Sequence, residues 1–434
     1  MGQKNLRLYP LMQIFLWMAS QSNFQASPPV DHATVLDLIV KVDGLAKAEL
    51  YFDQISTNAS KKSACLPLLH AYVKARELEK AEKLLAMLGN LGLIANPHPF
   101  NEIMKLYMAI SQFEKTIYVI QFMKRKKIPL NVLSYNLWMN ACGKLADVAS
   151  LEMVYKEMRA DKNVEVGWST YCTLAHIYTR LGLFNKAFTS LRIAEGKLSL
   201  RKRLGYSFII TLYAALGDKD GVLRLWESSK RVAGKIPCAC YMSVISCLIK
   251  LEEILEAERV FRDWEFQCRN YDIRVPNILL GVYVRNGWIE QAESLFCHTL
   301  AKGATPNYKT WEILMEGWVK NKQMGMAVEA MKKGFSLLEN CIWRPPSEIV
   351  LAIAEYYELH LDVEESRRYV AVLRRFGLMN LHLYKSFVRL HRKAMCETPS
   401  ILRMMAEDGI EPDEELRLLL NHSKTSSIED ISVD

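Results

Sequence analysis

The stretch YVKARELEKAEKLL at residues 72–85 returns as YVRNGWIEQAESLF at 283–296. Tyr72 lies over Tyr283, Lys74 over Arg285, Leu78 over Ile289 and Ala81 over Ala292, at a separation of 211 residues, six steps of 35 plus one. Self-similarity at a fixed period constrains a fold more than any local signal. Each repeat is one supersecondary unit that cannot hide its apolar face alone and must stack on its neighbours. Units in this register begin near 29, 62, 97, 132, 168, 203, 238, 273, 308, 347 and 381. From 62 to 308 the steps are 35 residues, apart from one of 36, and ENCIWRPP (339–346) lengthens the unit that starts at 308.

Every unit divides into two helical stretches. In the first, apolar residues at unit positions 4, 7, 8 and 11 form one stripe of a 3.6-residue period. Position 7 runs Leu68, Ile103, Trp138, Leu174, Ile209, Val244, Leu279, Leu314, Ile353 and Phe387. Position 11 is mostly aromatic: Tyr72, Tyr107, Tyr178, Tyr213, Tyr283, Trp318 and Tyr357. In the second stretch position 20 is small where helices approach, as at Ala48, Ala81, Ala187, Ala257, Ala292, Ala327 and Ser366. Pro with a small polar residue separates units in KKIPLN (126–131), GATPN (303–307) and GIEPD (409–413). The pattern predicts an all-α superhelical solenoid of about eleven helix-turn-helix repeats over 29–415, with two layers of helices.

The flanks differ from the array. Residues 1–28 contain no Asp or Glu and carry Lys4 and Arg7, which fits either a remnant of an organellar transit peptide or a partial repeat. Residues 416–434 read as an acidic, Ser-rich, disordered tail.

Composition removes several function classes. No run approaches the ~20 apolar residues of a membrane span; the longest candidate, LYPLMQIFLWMA (8–19), is broken by Pro10 and Gln13. A soluble chain without membrane insertion is expected. The ten cysteines include no C-x-x-C and no zinc spacing, so reduced core residues and no metal are expected. The nine histidines form no His-Glu-x-x-His motif, and neither a phosphate-cradling glycine loop nor G-x-S-x-G occurs. No enzyme activity, cofactor or small-molecule substrate is expected.

One column resists a packing explanation. Position 13 is Lys41, Lys74, Lys144, Arg180, Lys250, Arg285, Lys320 and Lys393, with Ala109, Ala215 and Leu359 as exceptions. Eight basic residues in eleven units far exceed the overall share of 56 Lys plus Arg in 434. Each cation would recur at the same place on successive stacked helices roughly 8–10 Å apart. Such a ladder of positive charge suits a single-stranded nucleic acid backbone, whose neutralised phosphates release counterions. The net charge of +8 permits an anionic partner. For any single residue, a favourable place at a helix C-terminus is the competing explanation.

Helical repeats of the tetratricopeptide kind place a small residue at position 8. Here that column reads Leu69, Met104, Met139, Ala175, Ile210, Ile245, Leu280, Met315, Ala354 and Val388, mostly large. With SYN at 134–136, the tyrosines of position 11, the basic position 13, the alanines of position 20 and the PN or PD endings, the chain resembles the pentatricopeptide repeat family. It is similar to P-type arrays of land-plant mitochondrial members.

The resemblance implies a right-handed solenoid that binds RNA in mitochondria and serves mRNA processing, stability or translation. It also implies base readout, with positions 5 and 35 of a unit touching one base and position 2 of that unit and the next sandwiching it. Paired asparagines are associated with pyrimidines. Two units carry them, Asn101 with Asn131 and Asn277 with Asn307; the implied sandwiches are His98 with Leu133, and Arg274 with Lys309. Unit 132–167 keeps Asn136 but closes on Gly167, and unit 203–237 offers Ser207. Elsewhere position 5 is Leu66, Cys172, Met242, Glu312, Leu351 or Lys385, which is poor material for a base code. Two readable units five steps apart specify little. A second expectation is therefore a structural scaffold in a ribonucleoprotein such as the mitochondrial ribosome, with ribosomal RNA and other organellar ribonucleoprotein components as partners.

Overall fold

The computed structural model describes residues 29–92, 96–199, 203–337, 344–396 and 400–421. The described residues form helices and no strand. They fall into two compact units. The first, up to Ile236, holds α1 (Pro29–Val42), α2 (Leu45–Gln54), α3 (Asn58–Ala75), α4 (Leu78–Asn90), α5 (His98–Ala109) and α6 (Phe113–Arg125). It continues with α7 (Val132–Lys144), α8 (Val148–Ala160), α9 (Trp168–Arg180), α10 (Phe184–Gly196), α11 (Arg203–Ala215) and α12 (Lys219–Lys230). The second, from Pro237, holds α13 (Cys238–Lys250), α14 (Ile254–Gln267), α15 (Arg274–Arg285), α16 (Ile289–Ala301), α17 (Tyr308–Lys320) and α18 (Met324–Ser336). Its last helices are α19 (Ser347–His360), α20 (Val363–Arg375), α21 (Leu381–Lys393), α22 (Ile401–Glu407) and α23 (Glu414–Asn421).

Within each unit every odd-numbered helix packs on the next odd-numbered one, and each even-numbered helix lies against its own partner. Most even-numbered helices also touch the following odd-numbered helix. This is stacking of helical hairpins, and it buries the stripes that no single hairpin could hide. All ten residues of position 7 are buried, from Leu68 and Ile103 to Ile353 and Phe387. Ala48, Ala81, Ala187, Ala257, Ala292 and Ala327 are buried as well, where a longer side chain would force helices apart.

Each hairpin turns at position 15, where one residue takes the left-handed conformation. Gly182, Gly217 and Gly287 do so at φ of +73° to +77°, and Arg76, Ser111, Ala146, Glu252, Lys322, Leu361 and Met395 at +52° to +62°. Just beyond it the chain bonds back into the helix it leaves, as from the Gln112 N–H to the Tyr107 carbonyl at 2.8 Å and from the Gln323 N–H to the Trp318 carbonyl at 2.8 Å.

Two boundaries differ from the sequence reading. Helix α3 starts at Asn58, ahead of the expected 62, because the Thr57 hydroxyl accepts from the Ser60 N–H at 3.3 Å and caps an earlier turn. At the other end, the expected tail from 416 begins inside α23. Asp413 caps that helix through the Leu416 N–H at 3.0 Å, and the buried Leu416 joins Tyr384, Phe387 and Met405 in a terminal apolar cluster. The readings of residues 1–28 and 422–434 lie outside the described residues.

Candidate nucleic-acid interface

The odd-numbered helices carry every residue of the expected interface. At the N-terminus of α7, Asn131 is a capping residue: its Oδ1 accepts from the Ser134 N–H at 2.9 Å, and the Ser134 hydroxyl accepts from the Asn131 N–H at 3.3 Å. That bond fixes which atom of the amide is oxygen. The Asn101 Nδ2 then donates to the same oxygen at 3.1 Å, and the Asn101 Oδ1 accepts from the Ser134 hydroxyl at 2.8 Å. The second unit repeats the arrangement. Asn307 caps α17 through the Thr310 N–H at 3.0 Å, the Asn277 Nδ2 donates to the Asn307 Oδ1 at 3.3 Å, and the Thr310 hydroxyl donates to the Asn277 Oδ1 at 3.0 Å.

Both expected asparagine pairs are therefore brought together, and both are latches between consecutive hairpins. Asn101 and Asn277 are buried, whereas Asn131 and Asn307 are half-buried. The capping asparagines use their oxygens in the latch. No bond from their own Nδ2 groups is recorded among the described residues, which leaves those donors for a ligand. Asn136 is also buried but lacks a capping partner, since Gly167 precedes α9. Ser207 sits half-buried in α11.

The four sandwich candidates lie in the first turn of their helices and are exposed: His98 on α5, Leu133 on α7, Arg274 on α15 and Lys309 on α17. Two are tethered. Arg274 pairs with Asp272 at 2.7 Å, which helps to hold that carboxyl below its usual range, and Lys309 pairs with Glu312 one turn on.

The position-13 cations stand at the opposite ends of the same helices, and all eight are exposed in the last turn. Lys144, Arg180, Lys250, Arg285, Lys320 and Lys393 are the final residues of their helices. Lys41 pairs with Asp37 and Lys320 with Glu316, each one turn back, and Lys393 reaches Glu358 at 2.8 Å. Lys144 rests 6.0 Å from the ring centre of Phe113. Among the described residues no ion pair engages Lys74, Arg180, Lys250 or Arg285. Consecutive members share a field: partial burial and then the Arg180 and Lys144 charges hold His176 below the ordinary histidine range. Eleven residues separate position 2 from position 13, about 16 Å along a helix.

A further column escaped the sequence reading. The hydroxyl of Tyr107 donates to Glu82 at 2.6 Å and that of Tyr283 to Glu258 at 2.7 Å, while Trp318 donates its ring N–H to Glu293 at 2.6 Å. Each acceptor is position 21 of the preceding unit, and a lysine of the following second helix closes the set, as at Lys80–Glu49 (2.8 Å) and Lys115–Glu82 (3.5 Å). Burial and then the neighbouring carboxylate push the Tyr107 phenol well above its ordinary value. The recurring Glu at position 21 was the available signal. The tyrosines of position 11 thus tie hairpin to hairpin, with their rings buried.

Among the described residues no helix is long and apolar enough to cross a membrane, and no group of three or more His, Cys, Asp or Glu could hold a metal ion. Cys65, Cys142, Cys172 and Cys247 are buried free thiols, while Cys297 and Cys396 are exposed.

Comparison with known proteins gives a consistent picture. The model of the pentatricopeptide repeat domain matches residues 84–145, and that of the PPR repeat matches 66–93, 133–162, 239–265 and 275–303. A pentatricopeptide repeat-containing protein of Arabidopsis thaliana is 52% identical over 403 residues, covering 92% of this chain and 82% of its own length. A second, named mitochondrial, is 30% identical over 94% of this chain and 76% of its own length. The Arabidopsis large ribosomal subunit protein mL101 (rPPR4) is 33% identical over 60% of this chain and 54% of its own length. Among solved structures, the pentatricopeptide repeat protein PPR10 in complex with an 18-nucleotide psaJ RNA element superposes with a TM-score of 0.51 at 15% identity. That match covers 98% of this chain, which spans 65% of the PPR10 chain. With its hairpins stacked in a 35-residue register and a relative of this identity along most of its length, the chain belongs to the pentatricopeptide repeat family.

Proposed function

We propose that this chain is a mitochondrial RNA-binding solenoid that holds single-stranded RNA against its odd-numbered helices and acts in post-transcriptional RNA metabolism. The observation that carries the reading is the column of eight exposed cations at one helix end, recurring unit after unit. Helix dipoles favour a cation at each such end. They do not select Lys or Arg over Ser, Asn or Gln in eight units of eleven. The cations supply affinity through phosphates, and the free donors of Asn131 and Asn307 give a weak pyrimidine preference with Asn101 and Asn277 behind them. His98, Leu133, Arg274 and Lys309 flank those bases. The work is binding, not catalysis. Relatives named mitochondrial and a structural neighbour solved with RNA support the reading.

A second reading has its own support. Position 5 is an amide in only three units, and one relative is a ribosomal protein. On that reading the chain is a fixed scaffold in a ribonucleoprotein such as the mitochondrial ribosome. Crosslinking and sequencing of RNA bound to the tagged protein in plant mitochondria, with gradient sedimentation, separates the two. Short footprints on a few transcripts, with the protein in light fractions, are expected for the first. Dominant ribosomal RNA with the protein in heavy fractions would replace it with the second.

A further inference from the structure

The inference rests on the RNA-binding reading and concerns Gly167. This residue precedes α9 as Asn131 precedes α7 and Asn307 precedes α17. Its backbone has the same extended conformation, φ −95° and ψ −178°, and a Cβ added there would meet nothing within 4 Å. The rest of the latch is present: Asn136 stands where Asn101 and Asn277 stand, and Thr170 where Ser134 and Thr310 stand. Only the side chain of the cap is missing.

Two atoms lose their partners as a result. The Asn136 Oδ1 and the Thr170 Oγ1 are buried and make no hydrogen bond, although their counterparts in the other two units bond to each other at 2.8 and 3.0 Å. Asn136 is 9% exposed and Thr170 0%. Leaving such atoms unpaired is destabilising, and the remedy is a single side chain that the space would accept. A cavity of about 350 Å³ opens at the same helix end, lined by Val132, Glu165, Gly167, Trp168, Ser169 and Lys197.

We propose that the gap at Gly167 is a nucleobase position of its own, in which the edge of a purine takes the place of the missing asparagine amide. The edge of a base presents a donor beside an acceptor. The donor satisfies the Asn136 Oδ1, and the acceptor takes the Thr170 hydroxyl. Without a side chain at Gly167 the position is deeper than those at Asn131 and Asn307, so a two-ring base reaches the buried pair where a one-ring base falls short. Trp168 offers an apolar wall, and Lys197 a cation for the adjoining phosphate. In units 97–131 and 273–307 an asparagine fills that depth, and a pyrimidine suffices. The bound RNA then carries a pyrimidine and a purine on neighbouring nucleotides, read by consecutive units.

The test is selection from a random-sequence RNA pool by the full chain, its Gly167→Asn variant and its Thr170→Val variant, with thermal melts of each. The wild type is expected to enrich a purine several-fold next to a pyrimidine. Gly167→Asn is expected to turn that purine into a pyrimidine and to raise the melting temperature. Thr170→Val is expected to abolish the preference at that nucleotide and no other. If the wild type and Gly167→Asn select the same base there, the proposal is overturned, whatever happens to the melting temperature, and the gap is only an uncapped helix end. If the wild type enriches no RNA, the RNA-binding reading fails first and takes this one with it.

Discussion

Asn131 does two jobs with one amide. Its oxygen accepts from the Ser134 N–H and from Asn101, while its nitrogen is left for a ligand. Substituting it removes a helix cap and leaves the buried Asn101 amide short of a partner. Asn131→Ala is expected to lower stability by about 1–3 kcal/mol, read as a shift of the urea midpoint with an unchanged slope. A variant as stable as the wild type would mean that the latch carries no weight. The tyrosine tie is smaller, because Glu82 stays partly hydrated. Tyr107→Phe is expected to cost about 0.5–1.5 kcal/mol, and Glu82→Gln with it should cost little more than either change alone. Fully additive losses in that double-mutant cycle would contradict the tie.

At the scale of the element, the clearest pH dependence lies in the last hairpins. Glu358 on α19 accepts from Ser386 and Lys393, both at 2.8 Å, and pairs with Arg389 at 3.3 Å. Asp408 accepts from Arg374 at 2.9 Å and from the Tyr384 hydroxyl. Burial alone would raise both carboxyls, but these donors outweigh it and hold each below its ordinary value. A depressed carboxyl stabilises the fold above its unfolded value, printed as 4.5 for Glu and 3.8 for Asp, and that stability is lost as pH falls through the lower folded value. Glu358→Gln is expected to melt below the wild type at pH 7 and to converge with it at about pH 3. A constant gap in melting temperature from pH 7 to 3 would contradict the assignment.

The same elements separate what was legible in the sequence from what was not. Helices α7, α9, α11, α13, α17, α19 and α21 begin at residues 132, 168, 203, 238, 308, 347 and 381, the starts that periodicity gives. Burial of a stripe repeats with the helix and so is written into the spacing. The latch is not. Asn101 and Asn131 are 30 residues apart, and neither cap chemistry nor a base code states that they bond to each other. Helix α23 was hidden for another reason: EELRLLLN is short and acidic at its start, and only the cluster around Leu416 gives it something to pack on. Gly167 was visible as a departure from the asparagine pattern, but its two unpaired neighbours became visible only in three dimensions.

Across the whole molecule the account rests on charge placed by repetition. Eight cations recur at one end of the odd-numbered helices, and four of them, Lys74, Arg180, Lys250 and Arg285, engage no ion pair among the described residues. A net charge of +8 on 434 residues is modest, so position and not total charge must provide the affinity. The most direct measurement is the salt dependence of single-stranded RNA binding by the purified chain. It is compared with a variant carrying Lys74→Gln, Lys144→Gln, Lys250→Gln and Lys320→Gln. Each lost phosphate contact on a single strand removes about 0.7 from the slope of log K against log salt, so the variant should bind more weakly with a slope shallower by about 3. Its melting temperature should stay close to that of the wild type, because these side chains are exposed. Equal affinity and equal slope for the two proteins would contradict the claim that this column holds RNA.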